Sequence, residues 1–198
     1  MTPDLLIALV LFGLASSITP GPNNTMLMAS GANFGFARTA PHLAGVVLGF
    51  PLMVIGVGLG LGRLFDAYPV LHDVLRAAGA AYLLYLAWKI ARSDSIGAGS
   101  AGTQPMSFWQ AVAFQWVNPK AWAMALGAVT AYAPREGYVV NVLIAALVFS
   151  LVNGPCVSMW AAFGVGVRRF LSTPKALKVF NLTMAGLLVL SLAVTLKG

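Results

Sequence analysis

A chain of 198 residues that is 59% hydrophobic and 9% charged, with a mean hydropathy of +0.85, is not a soluble globular domain. Its composition is that of an all-α polytopic membrane protein. The net charge of +7 is read as Lys and Arg gathered in cytoplasmic loops and not as a nucleic-acid surface, so no nucleic-acid partner is expected.

A membrane span needs roughly 20 apolar residues. The sequence has room for six: 4–33, 40–62, 70–91, 107–132, 138–166 and 176–196. The start, Met1-Thr2-Pro3-Asp4, carries no positive residue and no Ala-x-Ala site follows, so the first segment is expected to be a retained span. That span is interrupted by Ser17-Ile18-Thr19-Pro20-Gly21-Pro22-Asn23-Asn24. Each proline removes an N–H and clashes with the preceding turn, and freed backbone groups are expensive in lipid. A broken helix at membrane depth is therefore expected to be a site, as in transporters that hold charged solutes on half-helix ends.

Span 2 is dense in glycine: Gly45, Gly49, Gly56, Gly58, Gly60 and Gly62. Such a face lets another helix approach closely. Packing within the monomer is the first reading, and a homodimer or a sliding surface is the alternative. Pro51 adds a kink, and His42, at the start of this span, is expected at the interface. Residues 93–106 read as a flexible linker between two three-span halves, 1–92 and 107–198, of one transmembrane domain. An odd number of spans per half is the plan of an inverted repeat. Thr19-Pro20 opens one half and Asn118-Pro119 the other; Ala78-Gly79 and Ala185-Gly186 mark the last spans. These pairs share no single offset, so chance similarity stands beside the repeat as an explanation. Span 5 carries a third expected break at Asn153-Gly154-Pro155, next to Cys156. This lone cysteine forms no intramolecular disulfide or Cys-pair metal site and is read as a small packing residue.

Arg38, Lys89 with Arg92, and Arg168, Arg169, Lys175 and Lys178 fall in alternate loops; Arg63, Arg76, Arg135 and Lys197 make a sparser opposite set. The bias puts both termini outside and the 166–178 loop inside, where membrane lipid is a general partner.

No nucleophile–base pair, phosphate loop or metal-ligand cluster is spelled out, so neither an enzyme nor a cofactor is expected. Asp4, Asp66, Asp73, Asp94 and Glu136 all fall in loops or at span ends, which argues against a divalent-metal transporter. The polar residues inside spans are Thr19, Asn23 and Asn24, then Gln115, Asn118 and Lys120, then Asn153. Counted from the span ends, these three groups can meet between the midplane and the cytoplasmic half. Gln115 is read as a helix–helix hydrogen bond. Lys120 either snorkels to the interface or has a buried role. The N-terminus of the second half-helix, at Asn23 and Asn24, would offer N–H groups to a carboxylate. The carbonyls near Ile18 and Thr19 would receive an ammonium, and Lys120, if buried, would assist the carboxylate. The candidate substrate site is thus Thr19, Pro20, Gly21, Pro22, Asn23, Asn24, Asn118, Lys120 and Asn153, for a small zwitterion.

Thr19-Pro20-Gly21-Pro22-Asn23-Asn24, the Gly31 and Gly35 spacing, Ala44-Gly45-x-x-Leu48-Gly49-Phe50, Ala78–Leu83 through Ala87-Trp88-Lys89, Ser107-Phe108-Trp109 and Phe114–Lys120 together resemble the LysE/RhtB family of amino-acid exporters. The likeness runs in order along nearly the whole chain. It leans to the cysteine/O-acetylserine branch at Thr19–Asn24, His42–Phe50 and Ala78–Ala91. The resemblance implies a bacterial inner-membrane exporter of small neutral amino acids, driven by the proton gradient. Export of threonine, homoserine or branched-chain substrates is the runner-up, and a membrane scaffold without transport is the reading from another class.

Overall fold

The computed structural model describes residues 1–61, 67–93 and 104–197. Every regular element among them is helical: α1 (Pro3–Ile18), α2 (Pro22–Phe34), α3 (Phe36–Gly56) with a π-helical turn (Val57–Leu61), α4 (Pro69–Ala91), α5 (Phe108–Gln115), α6 (Pro119–Tyr132), α7 (Tyr138–Arg168) and α8 (Pro174–Lys197). Gly62, Arg63, Asp66, Asp94 and most of the expected linker, residues 94–103, lie outside the described residues.

Four of these helices are long and apolar enough to cross a membrane: Phe36–Leu61, Asp73–Ala91, Tyr138–Arg168 and Pro174–Ala193. The pair α1 and α2, bent by 51°, makes a fifth candidate. The segment expected as span 4 divides into α5, of 8 residues, and α6, of 14, each too short to cross alone. The division has a local cause. Pro119 disfavours helix at the residue before it, and Asn118 takes extended backbone and caps α6 through Lys120 N, 3.1 Å away. The expected break at Asn153-Gly154-Pro155 is not present: α7 runs 31 residues with Pro155 inside it. One proline in a long helix whose neighbours pack on both sides bends it at most, whereas two prolines around a glycine stop a helix.

The α1–α2 break is a stop and a restart. Thr19 is extended, as the residue before a proline prefers, and Pro22 sits at the first helical position, where its missing N–H costs nothing. At the other end of α2 the chain turns into α3 through one residue, Gly35, whose φ of 81° is a conformation open to glycine and strained for other residues.

Two apolar cores flank α2. Leu9, Phe50, Met53, Ala125, Ala145 and Phe149 join α1, α3, α6 and α7. Met26, Leu83, Leu86, Phe114, Ala185 and Leu188 join α2, α4, α5 and α8. Every residue of α2 from Asn24 to Asn33 is buried, so this short helix is the axis of the molecule. Outward-facing Leu11, Leu52, Val140, Leu151, Phe163 and Leu190 remain exposed, as the lipid face of a bilayer protein should.

Glycine sets the closest approaches. A Cβ at Gly31 would run into the Ala161 carbonyl, and one at Gly164 into that of Met28, so α2 and α7 cross backbone to backbone. On α3, a Cβ at Gly49 would lie 2.9 Å from Val112 Cα, and one at Gly45 would meet the Phe108 carbonyl. The glycine face of α3 is therefore covered by α5 within the monomer. Ala78-Gly79 and Ala185-Gly186 are not equivalent: Gly79 is buried against the Val117 carbonyl, while Gly186 faces open space. Gly31→Leu and Gly49→Leu should each cost at least about 1–3 kcal/mol through overpacking, read as lower folded yield and an earlier thermal transition in detergent. Gly186→Leu should leave both measurements near wild type.

Candidate functional site

Stopping α1 at Ile18 leaves its last carbonyls without intrahelical partners. Three side chains from three helices satisfy them. Asn24 Nδ2 donates to Ser17 O and Thr19 O, at 2.8 Å each. Trp160 Nε1, from α7, donates to Ile18 O at 3.2 Å. Lys120 Nζ, from the first turn of α6, donates to Thr19 O at 2.8 Å, Thr19 Oγ1 at 2.9 Å and Pro20 O at 3.2 Å. The carbonyls expected to receive a ligand's ammonium are thus already met by a protein ammonium, that of Lys120. Lys120 does not snorkel away; it locks one proline break onto the other.

The opposite face of the break is open. α2 begins at Pro22 with no side-chain cap on its first turn; Gly21 O takes the Thr25 N–H at 2.9 Å, which leaves the N–H groups of Asn23 and Asn24 and the positive dipole end without a side-chain cap among the described residues. Asn23 is turned aside and pairs with Gln115 of α5 through two hydrogen bonds, 2.9 and 3.3 Å. Gln115 also donates to Ala111 O at 2.9 Å. Gly21, Asn23, Asn24, Asn118, Lys120 and Asn153 converge on one polar cavity of about 20 Å³, no larger than a water site. On the other side of Lys120, a groove of about 390 Å³ runs past Pro20, Gly21, Pro22 and Pro119 to Leu187 and Ser191 of α8. Thr19 is exposed and joins this arrangement through its bonds to Lys120 and Asn24.

All nine sequence-predicted residues thus lie at one locus. Asn153 reaches it from an unbroken helix, and it makes no side-chain hydrogen bond with another described residue. Two participants were missed. Ser17 is 3% exposed, lines the polar cavity, and its hydroxyl has no hydrogen-bond partner among the described residues; its place one turn before the break was the available signal. Trp160 had none, because only the α2–α7 crossing brings it to Ile18. Among the described residues no group of His, Cys, Asp or Glu could hold a metal ion.

The family model of the LysE type translocator matches residues 5–197. The chain belongs to the LysE translocator family. This is a family of transport proteins and not of enzymes, in keeping with the apolar helices described above. The chain is 41% identical over 123 residues to the cysteine/O-acetylserine efflux protein of Escherichia coli O157:H7, and 40% identical over 123 residues to the protein of that name in Escherichia coli (strain K12). The match spans 61% of this chain and 61% of each relative. No solved structure matches the chain.

Asn24→Ala strips Ser17 O of its partner and should cost about 1–3 kcal/mol, the penalty of an unmet buried polar group. Thr130→Ala, which removes an exposed bond to its own helix at Leu126 O, should cost far less. Thermal denaturation of the two purified variants checks the order.

Proposed function

We propose that the protein is a bacterial inner-membrane exporter of small neutral amino acids or their derivatives, of the cysteine/O-acetylserine kind, driven by the proton gradient. The observation that carries the reading is the meeting of two proline breaks around an uncapped helix N-terminus and a lysine. A carboxylate entering from the groove meets the first-turn α2 amides directly and the Lys120 ammonium by taking the place of one of its Thr19 or Pro20 oxygens, an arrangement suited to anions. Asn118, Asn153 and Ser17 supply the remaining polar contacts. The named activity of the relatives supports this substrate class.

In the proposed topology α5 and α6 together make one crossing and α1 with α2 another, for six in all, with both termini periplasmic. The clustering of basic residues supports this orientation. The α2–α3 joint at Gly35, the end of α4 at Ser93 and the start of α8 are tied together by Ser93, Asn33 and Asn181, and Arg168 lies against Gly35. Arg38, Arg92, Arg168 and Arg169 thus gather at one end. Reporter fusions after residues 98, 136 and 172 should read inside, outside and inside; a periplasmic signal at 172 would overturn the orientation.

Export is tested in proteoliposomes preloaded with O-acetyl-L-serine, with and without a protonophore. Transport should be saturable and collapse with the gradient. Lys120→Ala should raise the half-saturating concentration about tenfold, the equivalent of 1.4 kcal/mol, and should affect amino-acid amides less than free acids. Full activity in a combined Asn23→Ala, Asn24→Ala and Lys120→Ala protein would reduce the break to a structural kink.

A further inference from the structure

A second cavity, of about 70 Å³, lies at the far end of α2, between α2, α3, α4 and residues 104–106. Asn23 and Asn33, ten positions apart on α2, put the two cavities about 15 Å from each other. Three of its polar lining residues, Ser30, Asn33 and Ser93, are already paired. Ser30 Oγ and Thr39 Oγ1 are 2.8 Å apart. Asn33, Asn181 and Ser93 close a ring of hydrogen bonds: Asn33 to Asn181 at 2.9 Å, Asn181 to Ser93 O at 2.8 Å and Ser93 to Asn33 at 3.1 Å.

Among the described residues, His42 and Lys89 are the cationic or ring-nitrogen groups of this lining that lack a partner, beside the exposed amide of Gln104. His42, expected at the interface, is instead 2% exposed, and both of its ring nitrogens lack a hydrogen-bond partner among the described residues. A buried polar group is rarely left unmet unless something else meets it. Lys89, from the last turn of α4, also lines the cavity and makes no ion pair with a described residue. No acidic side chain lines this space, whose remaining walls include Met26 and Leu86. A neutral imidazole offers one N–H donor and one bare acceptor nitrogen; with the Lys89 ammonium beside it and an apolar floor below, the unmet set suits a small solute on a short carbon frame whose carboxylate takes the N–H and the ammonium.

We infer that the His42 cavity is a second carboxylate site, which holds the free amino acid at the loop end of α2 before or after it occupies the break. The inference rests on the export reading for the identity of the solute, but its geometry is separate. His42 is the group that touches the ligand, and Lys89 sets the charge preference. The site takes a small free acid and refuses its ester, because an ester keeps the carbon frame and loses the anion.

The chain has two histidines, His42 and His72, so their ring signals can be followed by NMR in nanodiscs with the whole protein. His42→Asn assigns the signal, and His72→Asn assigns it by difference if the first variant does not fold. Titration with O-acetyl-L-serine should move the His42 signal saturably, and titration with its methyl ester should not. The shift should persist in Lys120→Ala and need about tenfold more ligand in Lys89→Gln. An immobile His42 signal, or a shift abolished by Lys120→Ala, overturns the second site. Transport by the same preparation separates the two ideas. Transport without a His42 response leaves the exporter standing and removes this site, whereas a response without transport keeps the site and removes the exporter.

Discussion

The structure depends on how one break in a helix is closed. In water, the carbonyls of Ser17, Ile18, Thr19 and Pro20 would be hydrated; in a bilayer, protein must meet them. Asn24 does so from the next half-helix, Trp160 from α7 and Lys120 from α6. A local interruption at Pro20-Gly21-Pro22 thereby becomes a joint between distant parts of the chain. The carbonyl side of the joint is closed by side chains of three helices, whereas the amide side at the start of α2 has no side-chain cap.

That closure explains the role of the second break. Pro119 serves to start α6 at the depth where its first-turn lysine reaches Thr19 and Pro20. A lysine placed elsewhere in a span would need a carboxylate or a route to the interface. Lys120 needs neither, because α1 presents it with carbonyl and hydroxyl oxygens. The same lysine forms the wall between the small polar cavity and the larger groove, so any rearrangement that frees it opens one space onto the other.

Glycine makes this geometry possible elsewhere. α2 is buried along its length because α7 and α3 come close, through Gly31 and Gly164 in one crossing and through the single-residue turn at Gly35. Side chains of ordinary size at these positions would push α2 away from Trp160, and Ile18 would lose its donor. The packing of small residues and the satisfaction of the break are one requirement expressed at two places.

The all-helical membrane class, the stop at Pro20–Pro22 and the glycine face of α3 were legible in the sequence, because each follows from composition or from the backbone chemistry of proline and glycine. So was the set of polar residues that meets at the break: a polar group inside an apolar span is rare enough to stand out. What each of those residues does was decided by tertiary structure. Lys120 could snorkel or be held, and only the position of Thr19 beside it settles the matter. Asn153-Gly154-Pro155 looked like a further break, but neighbouring helices carry α7 through it. His42 looked interfacial because it opens an apolar run, yet α2, α4 and residues 104–106 bury it. Local chemistry determines where a backbone must stop or bend; the identity of the partner for each freed group depends on which helices cross, and that is a property of the whole packing.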